Sequence, residues 1–349
     1  MKQITLLASQ SIQTPSVAWT GLLPIVIMAA AAVLLLTICS LFPDRITTKL
    51  LSIYTALASL AALITTFPLW GKVQNSSEGP YSTLAGAFGI DGFSLFVTML
   101  ITTIVIIVCP LLSTFLERES VSGPEPYVLL LLAATGGMIM AGANDFIILF
   151  LGIEVLSISS YILVAMNSRR IQSQEAGLKY FILGAFASGF LLYGIALLYG
   201  ATGSTSFTAI KAFTQQVELT NDALLLAALA LLIVGLAFKV AAVPFHFWSP
   251  DVYQGSPTPF VAFMASAVKA AGFAAILRVL YVTLGEYRAD WQPVIYAIAI
   301  ATLLTGSLLA IVQTDLKRML AYSSISHAGY LLVGTQAASD QGVKAVLFY

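Results

Sequence analysis

The sequence predicts an all-α polytopic membrane protein, and three observations lead there. Of 349 residues, 59% are hydrophobic and only 9% charged. A soluble domain carries roughly 25% charged residues, so these charges cannot cover a water-facing surface. The mean hydropathy is +0.93. The apolar residues fall in runs of about twenty, the length at which a helix crosses a bilayer core. Lys+Arg and Asp+Glu number 16 each, so no net charge points to a polyanion. A soluble enzyme, a disordered chain and a nucleic-acid binder are excluded as classes.

Ten runs are expected to span: 20–42, 49–70, 92–116, 126–143, 146–166, 174–199, 223–248, 259–284, 292–314 and 319–337. An eleventh begins near Gln341 and is still apolar at Tyr349, so the sequence reads as the N-terminal portion of something longer. Trp19, Trp70, Trp248 and Trp291 all stand at run ends, where amphipathic rings meet the interface. Arg45, Arg118, Arg169-Arg170 and Lys317-Arg318 fall in loops of one parity. The positive-inside rule makes that side cytoplasmic and the N-terminus external, in a multi-pass protein of the plasma (inner) membrane. Lys72, Lys211 and Arg288 lie in the opposite loops, so the bias is modest. Lys2 and the short apolar stretch before Ser9-Gln10-Ser11 are too brief for a signal peptide. The spans themselves must drive insertion into the lipid bilayer.

The longest loops are 71–91 and 200–222. Within the second, Phe207, Ile210, Phe213 and Val217 share one face, which predicts a short amphipathic helix lying in the interface. Cys39 and Cys109 sit in apolar runs without a CxxC partner and read as small buried hydrophobes. Asp91 opens the third run and is expected to cap it. Arg278 reads as an interfacial anchor.

Three charges lie where they are costly. Glu154 is inside the fifth run, Lys239 inside the seventh and Lys269 near the middle of the eighth. Each costs about 2.5–3.5 kcal/mol or more at the bilayer centre. Glu154 can offset this by pairing with a lysine of a facing helix. A purely architectural salt bridge needs one acid and one base, yet here two lysines face one deep acid. A lysine near a movable carboxylate has two protonation states within reach, which is what a proton relay requires. Ser157 and Tyr161 follow Glu154 at i+3 and i+7 on one face and can hold water beside it; helix packing by serine is the alternative.

Pro244 disrupts the turn that would hold the Val240 carbonyl, so the seventh helix should break beside Lys239. His246 would then lie two turns beyond Lys239 if the helix resumes. Broken helices at membrane depth are tolerated where they line a polar site; a harmless kink is the alternative, and the clustering of Lys239, Pro244 and His246 argues against it. His327 follows Ser323 and Ser324 by one turn and precedes Tyr330. A relay role and a satisfied core histidine are both open there. Glu175 and Lys179 are spaced for an interfacial ion pair, with a proton role for Lys179 as the alternative. Neither histidine has ligand-spaced partners, so no metal site is expected. No phosphate loop or dinucleotide fingerprint is present, so no cofactor is expected in this chain.

These residues stand in stretches that resemble a known family. FKVAAVPFHFWSPDVYQGSPTPF and the residues up to Arg278, DLKRMLAYSSISHAGYLLVG (315–334), GIEVLSISSYILVA and EAGLKYFILGAFASGFLLYG are similar to the antiporter-like subunits of respiratory complex I. The wording favours the N-type subunits of the bacterial proton-pumping NADH–quinone oxidoreductase, with the B-type subunits of the cyanobacterial and plastid enzyme as relatives. The resemblance implies a fourteen-helix bundle with two inverted five-helix repeats. Residues 1–125 would be three N-terminal helices, 126–284 the first repeat with its broken seventh helix, and 285–349 an incomplete, truncated second repeat. It implies that Glu154, Lys239, Lys269 and His327 form the relay. It also implies that NADH, FMN, iron–sulfur clusters and quinone belong to other subunits, and that the partners are other membrane subunits of the complex. A cation/proton antiporter subunit, a proton-channel subunit of a membrane hydrogenase and a purely structural scaffold are the alternatives.

Overall fold

In lipid every backbone N–H and C=O must be paired within its own segment, so apolar runs of this length close into helices. The structure, a computed structural model, describes residues 16–42, 47–75, 79–121, 123–216 and 222–349. Lys2, Ser9–Ser11, Arg45 and Val217 of the sequence reading lie outside the described residues.

The helices in chain order are α1 (Trp19–Leu41), α2 (Thr48–Gln74), α3 (Gly92–Glu119), α4 (Glu125–Gly142), α5 (Phe146–Ala165), α6 (Ile171–Thr202), α7 (Phe207–Gln216) and α8 (Ala223–Lys239). They continue with α9 (Trp248–Gly255), α10 (Thr258–Thr283), α11 (Arg288–Ile311), α12 (Leu316–Gln336) and α13 (Asp340–Phe348). Eight helices among the described residues are long and apolar enough to cross a membrane, and α8 is a shorter apolar helix. In α10 the wider π-type turns Met264–Val268 and Arg278–Thr283 flank the stretch that begins at Lys269.

Helix α4 is the hub: 78% of its span is buried, and it packs against α1, α3, α5 and α10. Gly136 permits a close approach to α5, since a Cβ there would stand 2.5 Å from the Leu156 backbone nitrogen. The outer helices instead expose apolar side chains, such as Phe181, Phe186 and Phe190 of α6, as a lipid-facing wall requires.

The two ends of the bundle are stitched separately. At one end Arg170 pairs with Glu119 at 2.8 Å, and Lys317 donates to the Ser256 carbonyl at 2.9 Å. At the other, Asn144 N–H donates to the Ala87 carbonyl, Thr205 to Asp145 and Gln215 to Glu286. Loops of one parity therefore gather at one end, as alternating spans demand.

One expectation is corrected here and two are refined. Within the loop 71–91, Tyr81–Thr83 and Phe88–Ile90 form an antiparallel hairpin, β1–β2. The hairpin seals the α4–α5 junction: the Phe88 ring lies where a side chain at Gly142 would be, 2.1 Å from its Cβ position. Second, α7 forms as expected, but Phe207 and Ile210 are fully buried, with Phe207 edge-on to Phe146 at 4.7 Å. Its apolar face meets protein rather than the interface. Third, the seventh run breaks beside Lys239 as expected, over a longer stretch than a kink. It stops at Lys239 after 17 residues and resumes only at Trp248.

Candidate functional site

The end of α8 positions the first lysine. Ala241 N–H donates to the Phe238 carbonyl at 3.0 Å and Ala242 N–H to the Ala237 carbonyl at 2.9 Å, with Ala241 in the left-handed region at φ 58°. This is the hydrogen-bond pattern of a Schellman end, with alanine where glycine is usual. Pro244, which has no N–H, follows, and the Val243 N–H is taken by Thr302 of α11 at 3.0 Å. Lys239 therefore sits in the last turn of α8, at the negative end of its peptide dipoles.

Its side chain is 4% exposed. Lys239 Nζ donates to Ser157 Oγ of α5 at 2.7 Å, and Ser157 donates in turn to the Ile153 carbonyl. Glu154, one turn earlier on α5, is half-buried and accepts from Ser188 of α6 at 2.5 Å. The expected pairing of Glu154 with a lysine is not made: among the described residues no ion pair joins Glu154 to a lysine, and Glu154 and Lys239 each bond a serine instead. Ser157 is thus the partner of Lys239. Tyr161 continues the same face, edge-on to Tyr180 at 4.6 Å, and its hydroxyl occupies the space over Gly184.

Lys269, 5% exposed, donates to Ser324 of α12 twice, to its carbonyl at 2.6 Å and its hydroxyl at 2.7 Å. Gly272, one turn on, faces Lys239: a Cβ there would lie 3.6 Å from Lys239 Cγ. Lys269, Ser323, Ser324 and His327 line one cavity of about 740 Å3. His327 is exposed, and its Nδ1 meets the Tyr349 hydroxyl. His246 is buried but is not on a continuation of α8, because residues 240–247 are not helical; its Nδ1 has no protein partner among the described residues.

Lys179 pairs with Glu175 at 2.7 Å, as its spacing predicts, and also with Asp251 of α9 at 3.0 Å. Asp251 binds Arg318 of α12 at 2.6 Å, so one carboxylate ties three helices. Burial alone would raise the Asp251 carboxyl. The hydrogen bonds from Lys179 and Arg318 outweigh it and hold the group below its usual range.

Sequence reasoning missed a fourth deep charge. Arg278 is 5% exposed, not an interfacial anchor. It pairs with Asp91 at 2.6 Å, donates to the Ala141 carbonyl and lies over the Phe93 ring at 5.5 Å. Asp91 does cap α3, in a reciprocal capping box with Ser94. The signal was the apolar sequence on both sides of Arg278. Ser188 carried no signal that the sequence alone could separate from packing.

The model of the NADH:quinone oxidoreductase/Mrp antiporter transmembrane family matches residues 143–349, which hold Glu154, Lys239, Lys269 and His327. The chain belongs to this family. Curated relatives agree. An NADH-quinone oxidoreductase subunit N of Streptomyces griseus is 41% identical over 97% of this chain and 68% of its own length. One of Roseiflexus castenholzii is 42% identical over 96% and 68%, and one of Trichlorobacter lovleyi 43% identical over 77% and 55%. The chain therefore spans between about half and two thirds of these relatives. Among solved structures, a chain of respiratory complex I from Thermus thermophilus is 36% identical, with a TM-score of 0.73 over 92% of this chain and 66% of that one. A chain of an archaeal membrane-bound sulfane sulfur reductase is 26% identical, with a TM-score of 0.81 over 95% and 68%. The Mrp complex from Dietzia, 21% identical at a TM-score of 0.79 over 95% and 62%, shares the fold.

Proposed function

We propose that this chain is the subunit-N part of the membrane arm of a proton-pumping NADH–quinone oxidoreductase. In this reading protons cross through Glu154, Lys239, Lys269 and His327, driven by quinone reduction elsewhere in the complex. One observation carries it: two buried lysines on facing helices are each held by a serine and not by a carboxylate. A carboxylate partner would hold only the ammonium, whereas a hydroxyl both donates and accepts, and so accommodates the charged and the neutral amine. An architectural ion pair does not leave two lysines so arranged.

The coupling is electrostatic. Glu154 and Ser157 are one turn apart on α5, so a change of charge at Glu154 is felt at Lys239 without contact. At low effective dielectric such neighbours interact by several kcal/mol. A proton gained by Lys239 passes to Lys269 and leaves along the Ser324–His327 cavity. Residues 1–125 are the three leading helices, 126–284 the first inverted repeat and 285–349 part of the second. The end bearing Arg118, Arg169, Arg170, Lys317 and Arg318 faces the cytoplasm, with the N-terminus outside. NADH, FMN, iron–sulfur clusters and quinone act in partner subunits.

The test is Lys239→Ala in the intact parent complex, with quinone reduction and proton translocation followed together in membrane vesicles. Both collapse if Lys239 is on the coupled path. Full retention of both makes the lysine architectural.

A further inference from the structure

Ser249 and Tyr253 stand at i and i+4 on one face of the short helix α9, and Ser256 follows as its extended C-cap residue. They are 0%, 2% and 1% exposed. None of the three side-chain hydroxyls has a hydrogen-bond partner among the described residues. An unpartnered buried hydroxyl costs about 1–3 kcal/mol, and folded proteins leave few of them. Three within eight residues, just after the break in the seventh run, is the pattern of a track built to hold water.

Both ends of the track lead somewhere. Ser256 lines a cleft of about 860 Å3 at the Arg/Lys-rich end, with Arg118, Arg170, Gln254 and Lys317. At the inner end the Tyr253 hydroxyl lies beside Ser249 and Ser324. Ser324 is the residue that holds Lys269.

We propose that Tyr253 passes protons from this cleft to Lys269, with Ser249, Ser256 and Ser324 completing the inlet. The inlet reaches Lys269 without passing Lys239 and rests on the relay reading above. Each hydroxyl gives up its own proton as it takes one from the cleft side. The sum is one proton lost from the cleft, one ammonium formed at Lys269 and every hydroxyl restored.

Tyr253→Phe in the intact parent complex tests it. The ring keeps its edge contact with Trp248 at 6.3 Å and only an unpartnered hydroxyl is removed, so assembly and thermal stability should hold. Tyr127→Phe is the control, because Tyr127 on α4 is equally buried and unpartnered. Vesicle acidification should fall by about tenfold or more in Tyr253→Phe and stay at the parental level in Tyr127→Phe. If Lys269→Ala abolishes acidification while Tyr253→Phe pumps normally, the inlet is wrong and the relay stands. If Lys269→Ala itself pumps normally, the relay reading fails and the inlet with it. Equal losses in both tyrosine variants also overturn the inlet. Should Tyr253→Phe not assemble, Ser256→Cys decides. Labelling by a small membrane-impermeant thiol reagent from the cytoplasmic side supports a wet track, and no labelling overturns it.

Discussion

A guanidinium inside an apolar helix must be met by an acid and by acceptor oxygens, because its desolvation is not otherwise offset. Arg278 is met by Asp91 and the Ala141 carbonyl. The two partners are not equivalent. Arg278's side chain is 6% exposed and Asp91's 30%. Removing Asp91 strands a buried cation and also uncaps α3; removing Arg278 leaves a carboxylate that reaches water. Asp91→Ala should therefore cost about 3–5 kcal/mol, with Arg278→Met distinctly milder. Thermal unfolding of the purified subunit complex checks the order, and equal losses would show that the pair is not what holds α10 to α3. Glu154, Lys239 and Lys269 were legible as residues, since a charge in an apolar run announces itself. Ser157 and Ser324 were singled out but not as the partners of Lys239 and Lys269, and Ser188 was not seen, because a serine in a membrane helix packs as readily as it hydrogen-bonds.

At the scale of the element, glycines separate crossings from open faces. Gly136 brings α4 against backbone of α5, whereas a Cβ at Gly189 of α6 meets nothing within 4 Å. Gly136→Ala must push two helices apart, at a cost of about 1–3 kcal/mol. Gly189→Ala should be neutral or stabilise by roughly 0.5–1 kcal/mol. Heat-induced loss of assembled complex for the two variants, measured side by side, checks the contrast. The break in the seventh run was legible from Pro244 beside Lys239. Its extent was not. Residues 240–247 leave helix altogether because the Schellman end and the Thr302 contact satisfy the backbone, and both are tertiary matters. The hairpin 81–90 was missed because its strands are three residues each and gain their burial from Gly142 and Ala18, far apart in sequence.

For the whole molecule, the partition of loops predicts opposite accessibility. Arg169→Cys should be labelled only from the cytoplasmic side and Gln215→Cys only from the other, by an impermeant thiol reagent on right-side-out and inverted vesicles. The native Cys39 and Cys109 are buried and leave a low background. Labelling of both from one side would refute the alternating spans, and a reversed pattern would invert the proposed orientation. Composition and run length determined by themselves that the chain is a helical membrane bundle. They also determined where most of its spans lie and which charges sit too deep to be incidental, because the bilayer penalises each residue by its depth and little else. Only the tertiary structure decided which partner each deep charge has. Glu154 and Lys239 each bond a serine and not each other, Arg278 is clamped by Asp91, and Ser249, Tyr253 and Ser256 are buried without a hydrogen-bond partner among the described residues. Those outcomes depend on which helix faces meet, and neighbouring helices in lipid are selected by packing of small residues and polar pairs whose spacing no single segment contains.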